Sequence, residues 1–295
     1  MICIQIFDFP VWIIFGTLSL IGILGNGFIM AVNGLQWLQN RKIILCDFLL
    51  TSASTYRFIM QLTLLLYNIF YYIPENIHCI YRIDLLFFSW MFSNMISYWC
   101  ATWLSVFYCV KVANFANPLF LWLKTRINML VPRLLGLSIA VFTVSCLPSI
   151  CNLTGSLPVN ITQRMVCKDL FFIFYPFQLS VLSINFIITI TANVLLITSL
   201  WKHTQNLKKS GIVAKDLSTQ IHITIMKPLV CYILLYLLFF TGMLIFSSRF
   251  AYTFNGKSFL FDIHLTTFPS AHTIILILTN PKLKALLIRK GKGFP

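Results

Sequence analysis

The stretch SWMFSNMISYWCATWLSVFYCVK, Ser89–Lys111, decides the fold. It carries no acidic or basic side chain until its last residue. Wound as a helix at ~1.5 Å per residue, it is long enough to cross the ~30 Å of hydrocarbon in a bilayer. A surface helix of a soluble domain would show a charged face, and this one shows none. Working outward in both directions, six more runs of the same kind appear, giving seven at about 9–33, 47–70, 84–110, 127–148, 171–200, 228–248 and 261–280. Between them fall Arg41-Lys42, Pro74-Glu75-Asn76, Asn117-Pro118 with Lys124 and Arg126, then Pro148 to Lys168, Lys202 to Lys227, and Arg249 to Lys257. Helices are the open-chain solution in lipid, because each backbone group must bond within its own segment. Strands of a membrane barrel would alternate polar and apolar residues, and these runs do not. The expected fold is an all-α membrane protein, a single seven-transmembrane-helix bundle over residues 1–295.

Composition agrees. Of 295 residues, 59% are hydrophobic and only 10% charged, too little charge to cover a soluble surface of this size. Aromatic residues make up 16%, a supply of rings that suits lipid contact and a pocket for an apolar ligand alike. Asp8 precedes the first run, which is too long for the apolar part of a signal peptide, so the first helix is expected to serve as its own uncleaved insertion signal.

Charge sets the orientation. With the N-terminus outside, the inner loops and tail hold fifteen Lys and Arg, from Arg41 to Lys292, against Asp47 and Asp216. The outer side balances Arg82, Arg164, Lys168, Arg249 and Lys257 with Asp8, Glu75, Asp84, Asp169 and Asp262. The positive-inside rule then puts the N-terminus outside and the C-terminus in the cytosol. Asn152-Leu153-Thr154 and Asn160-Ile161-Thr162, the two glycosylation signals, both fall in the second outer loop of that arrangement. Basic loops spread beside lipid exclude nucleic acid as a partner.

A few side chains are out of place in lipid. Arg57 lies near the middle of the second span, where a cation must face protein or water. Asn26 of the first span is a plausible neighbour, and the two are either a rearranging polar node or a structural hydrogen-bond hub. In the third span Trp90, Asn94, Ser97 and Tyr98 fall on one helical face, as the lining of a cavity or as packing around Asn94. Pro269 and His272 interrupt the seventh span, and Asp262 stands near its outer end. Lys111, Lys202, His203 and Lys227 cluster at inner helix ends, suited to anionic lipid or to a cytosolic partner.

No catalytic constellation emerges: the chain has no GxSxG, phosphate loop or HExxH, and no paired intramembrane carboxylates. The nine cysteines and scattered histidines show no metal spacing, so no metal and no cofactor is expected. Cys79, Cys151 and Cys167 fall on the outer side and allow one disulfide, without the spacing choosing a pair.

From Ser89 the sequence continues through ATWLSVFYCVKVANFANPLFLWLKTRI to Ile127. This run resembles the motif that closes the third helix and second inner loop of the type 2 (bitter) taste receptors, ATxLSVFYxxKIANFSxxxFLWLKxRI. GILGNGFI around Asn26, DFLLTSASTYR ending at Arg57, PFQLSVLS at Pro176–Ser183, SLWKHTQNLK at Ser199–Lys208, DLSTQIH at Asp216–His222 and PSAHTIILILTNPKLK at Pro269–Lys284 are similar to that family in the same order. The resemblance implies a G-protein-coupled receptor, not an enzyme, in the plasma membrane. Its partners would be bitter small-molecule agonists and a gustducin-like heterotrimeric G protein, in contact with membrane lipid. It further implies ligand contacts at Trp90, Asn94, Phe239 and Asp262 and a buried arginine at Arg57. With the readings above, Tyr98 joins the ligand contacts, Asn26 and His272 join Arg57 in a polar switch network, and Lys111, Lys202, His203 and Lys227 form the G-protein-facing set. A glycosylated second outer loop maps to Asn152 or Asn160. The chain departs from the family pattern at Ala53-Ser54-Thr55-Tyr56, at His272-Thr273 and at Ile225-Met226. A vomeronasal-type pheromone receptor is the alternative, against which the third-helix motif argues. A small transporter or channel is the more distant alternative, and the inverted repeats that would favour it are not apparent.

Overall fold

A computed structural model describes residues 2–41, 44–72, 78–113, 117–155, 161–209, 215–247 and 259–291. Among these residues every element is a helix: α1 (Ile2–Asn40), α2 (Leu45–Tyr72), α3 (His78–Val112), α4 (Pro118–Gly155), α5 (Ile161–Lys209), α6 (Lys215–Ser247), α7 (Phe259–Thr279) and α8 (Pro281–Gly291). Helices α1 to α7 each carry one of the apolar runs. Five segments, Pro10–Gln39, Phe88–Val112, Pro118–Val144, Leu179–Asn206 and Lys227–Ile245, are long and apolar enough to cross a membrane alone. The pair Asp262–Thr279 and Pro281–Ile288, bent by 87°, adds a sixth. Helix α2 is not among them for a physical reason: its inward stripe is polar. Ser54, Arg57, Gln61 and Asn68 are all buried, at spacings that keep them on one face.

The outer surface is the reverse of a soluble protein's. Leu24, Leu38, Leu121, Leu137, Ile187 and Leu238 are exposed, while Ser19, Asn26, Asn193 and Thr266 are buried. Hydroxyls on the exposed faces turn back on their own helix, as Thr17 does to the Ile13 carbonyl (2.7 Å) and Thr198 to that of Val194 (2.8 Å). Such bonds remove a donor that lipid could not satisfy.

Helix α2 packs between α1 and α3, α3 on α5, α5 on α6, α6 on α7, and α7 back on α1. The ring closes with α4 outside it, against α3. Helix ends follow from local chemistry. Arg41 leaves α1 in the left-handed region (φ 48°), with its N–H donating to the Trp37 carbonyl at 2.8 Å. Asn-Pro opens two helices in the same way. Asn117 Oδ1 accepts from the Leu119 N–H (2.9 Å) and Asn280 Oδ1 from the Lys282 N–H (3.0 Å), with Pro118 and Pro281 in the first helical position. The second pair makes the corner between α7 and α8, where Leu283 is fully buried. There Lys282 Nζ donates to Asn33 Oδ1 (3.1 Å) and to Gln36 Oε1, both on α1.

The stretch from Pro148 to Lys168, expected to be an outer loop, is instead mostly helical. Helix α4 continues to Gly155 and α5 starts at Ile161. Apolarity marks where hydrocarbon ends, whereas a helix ends where its hydrogen-bonded turns do, and those can extend into water. Asn152 therefore belongs to the last turns of α4. Its side chain, Asn160, and the side chains of Cys79, Cys151 and Cys167 lie outside the described residues.

Candidate functional site

The face of α3 read from the sequence is buried along its length. Trp90, Ser93, Asn94, Ser97, Tyr98, Ala101, Thr102 and Ser105 are each less than a tenth exposed. Around its middle the bundle is filled with rings. Tyr98 lies 5.3 Å from Phe239, 6.2 Å from Tyr236 and 6.1 Å from Phe268, ring centre to ring centre. Phe239 meets Phe268 at 5.1 Å, and Phe186 of α5 stacks on Phe240 at 4.1 Å. Each such pair contributes about 0.5–1.5 kcal/mol beyond its burial. The rings are not interchangeable with aliphatic residues, because the tyrosines bring polar handles. Tyr236 Oη donates to Asn185 Oδ1 at 2.6 Å, and Asn94 and Ser105 stand beside Tyr98 and Tyr232. Thr102 and Thr189 bridge α3 to α5 at 2.7 Å.

Of the expected ligand contacts, Tyr98 and Phe239 touch. Trp90 belongs to the same core but stands eight residues before Tyr98, about 12 Å along α3. Asn94 lies between them. Asp262 is buried in the first turn of α7. The set thus describes a strip running from the N-terminal half of α3 to the middle of the bundle.

His264 belongs to this strip and was not singled out from the sequence. Its Nε2 lies 3.0 Å from the Phe239 carbonyl, and its ring is nearly parallel to that of Phe239 at 5.5 Å. Gly242 makes room for it, since a Cβ there would run into the imidazole. The signal was a glycine inside the last turns of an apolar helix, which marks a close approach.

The expected switch trio divides between two clusters. Asn26 belongs to one that ties α1, α2 and α7. Its Nδ2 donates to the Gly22 carbonyl (2.8 Å) and to Gln61 Oε1 (3.4 Å), and its Oδ1 accepts from Thr273 Oγ1 (3.0 Å). Gln61 Nε2 donates to Ser270 Oγ (2.8 Å), which in turn donates to the Leu18 carbonyl (2.8 Å). Gly22 lets Gln61 lie flat on α1, where any Cβ would collide with the amide. Arg57 and His272 belong to the other. Arg57 Nε donates to Ser97 Oγ at 3.1 Å, and His272 packs on Tyr232 at 4.5 Å within electrostatic reach of Arg57.

At the opposite end of the bundle Cys109, Leu196 and Leu200 form a small buried cluster with Leu229, joining α3, α5 and α6. Lys202, His203 and Lys227 are exposed around it, and Lys111 lies over the Phe107 ring at 6.0 Å. The four expected partner-facing residues therefore occupy the end where these three helices meet. Among the described residues no three His, Cys, Asp or Glu side chains come together as metal ligands.

Residues 4–290 match the family model for taste receptor protein (TAS2R). The chain belongs to the type 2 taste receptor family. It is 34% identical over 295 residues to taste receptor type 2 member 41 of Pan paniscus, covering 96% of each chain. To member 104 of Rattus norvegicus it is 33% identical over 283 residues, covering 92% of this chain and 91% of that one. To member 105 of Mus musculus it is 34% identical over 280 residues, covering 92% and 93%. As a member, this receptor is a multi-pass membrane protein of the G-protein-coupled class, working through small-molecule ligands and a G protein and not as an enzyme.

Proposed function

We propose that this receptor sits in the plasma membrane with its N-terminus outside, binds bitter small molecules between α3, α5, α6 and α7, and activates a gustducin-like G protein. One observation carries the proposal: the polar and aromatic face of α3 meets the ring cluster of α5, α6 and α7 in the interior of a lipid-facing bundle. Flat rings grip diverse apolar molecules by stacking, and Asn94 with the tyrosine hydroxyls orients them. Trp90, Asn94, Tyr98, Phe239 and Asp262 are the ligand contacts in this proposal, with His264 added. An agonist that fits better when the rings have parted shifts the population of helix arrangements, and the cytosolic ends of α3, α5 and α6 relay the shift. Lys111, Lys202, His203 and Lys227 are the basic rim that meets the G protein, and neighbouring anionic lipid.

The test is calcium imaging of cells that express the receptor with a chimeric G protein, screened against a bitter-compound library. Wild type responds to several agonists, and Trp90→Ala lowers potency for most of them at equal surface expression. Full potency for every agonist in Trp90→Ala overturns the pocket. Orientation has its own test: a glycan removed by endoglycosidase in wild type and lost in Asn152→Gln/Asn160→Gln places that loop outside, while a cytosolic location for it overturns the topology.

A further inference from the structure

Arg57 is 1% exposed, in the middle of α2 and of the bundle. Its Nε is used by Ser97, but Nη1 and Nη2 make no hydrogen bond among the described residues. Its charge acts on Tyr98 and Cys100 of α3, Tyr232 and Tyr236 of α6 and His272 of α7, so three other helices face it. Those neighbours do not neutralise it. The Tyr236 hydroxyl is taken by Asn185, and those of Tyr98 and Tyr232 have Asn94 and Ser105 beside them. His272 Nδ1, also buried, makes no hydrogen bond among the described residues.

The described carboxylates lie far away. Asp47 precedes Arg57 by ten residues on its own helix, and Asp262 precedes His272 by ten on α7, about 15 Å in each case. Asp8, Asp84, Asp169 and Asp216 belong to the opening turns of α1, α3, α5 and α6, and Glu75 lies outside the described residues. A guanidinium does not escape the cost of burial by losing its proton, as a lysine or histidine would. An uncompensated charge at this depth is expensive, and each unmade bond of a buried charged donor adds to the cost. A single negative charge at Nη1 and Nη2 removes both penalties.

We propose that Arg57, with Ser97 and His272, forms a binding site for one small monovalent anion, a halide or a lone carboxylate, at the centre of the helix bundle. The fork of the guanidinium supplies two N–H donors, His272 a third when its Nδ1 carries the ring proton, and the rings of Tyr98, Tyr232 and Tyr236 close the site to water. The anion is a structural counter-ion that ties α2 to α3, α6 and α7. It does not depend on which agonist the receptor recognises.

The experiment uses the full-length receptor purified in lipid nanodiscs and unfolded thermally at fixed ionic strength. Sodium chloride, bromide or acetate replaces sodium gluconate, whose anion is too bulky for the site. The midpoint should rise by about 5 °C and saturate as the binding anion replaces gluconate. A rise with chloride and bromide alone assigns the site to halide, and a rise with acetate extends it to a carboxylate. Arg57→Gln should abolish the response. Ser97→Ala, which keeps the charge and frees Nε, should shift the half-saturating concentration about tenfold and carries the test should Arg57→Gln not fold. Equal midpoints in chloride, bromide, acetate and gluconate overturn the proposal, as does an unchanged response in both variants.

Discussion

Two cores share this bundle, and they are built of different material. One contains Phe15, Trp90, Tyr98, Phe142, Tyr232, Tyr236, Phe239 and Phe268, so rings dominate it. The other contains Ile29, Leu49, Leu50, Ile96, Leu104, Ile127, Val131, Leu135, Ile277 and Leu283, with Phe107 as its one buried ring. Branched aliphatic chains interlock in one arrangement and resist change, since a void of one methylene is felt. Rings slide and re-stack with smaller loss, and tyrosines keep a hydrogen bond while doing so. Under the proposed function, the division separates a part that holds the helices together from a part that answers a ligand.

Substitutions break or sharpen this contrast. Leu49→Ala, in the aliphatic core, should cost about 3 kcal/mol of stability with agonist potency unchanged in the protein that folds, read by chemical denaturation beside dose–response curves. Potency falling in step with stability would erase the distinction. Gly22→Val should cost about 2 kcal/mol, because the new side chain displaces Gln61 from α1 and with it the bonds to Asn26 and Ser270. Phe239→Leu, in the ring core, should do the opposite of Leu49→Ala. Agonist potency should shift about tenfold, equal to about 1.4 kcal/mol, with a smaller loss of stability. Asn280→Ala removes the cap of α8 and should cost about 1 kcal/mol, seen as faster amide exchange confined to α8.

Much of this architecture was legible in the chain. Seven apolar runs give seven helices, and the spacing of Trp90, Asn94, Ser97 and Tyr98 gives their shared burial, because periodicity is a property of one helix. The inward polar stripe of α2 was visible only at Arg57. Gln61, Ser270 and Thr273 carry as much of the interhelical bonding, but amides and hydroxyls are ordinary in such runs, and each has a partner more than two hundred residues away. That Asn26 would bond Gln61 and not the Arg57 cluster depends on how far α1 slides along α2, which no local pattern records. The length of α4 and α5 beyond the hydrocarbon escaped for another reason: hydropathy is blind to helix that stands in water. The corner at Asn280-Pro281 was readable in principle, since Asn117-Pro118 opens α4 in the same way.

The grip of Lys282 on Asn33 and Gln36 works as a clasp between the beginning and the end of the chain's circuit. With the base of the seventh helix buckled to the base of the first, an outward swing on that side would have to pull an ammonium off two amide oxygens. In the proposed orientation, the opening for a cytosolic partner belongs on the other side of the ring, where α5 and α6 carry the exposed Lys202, His203 and Lys227. Spin labels on α1 and α6, compared with a pair on α1 and α7, should show the first distance lengthening with agonist while the second stays fixed.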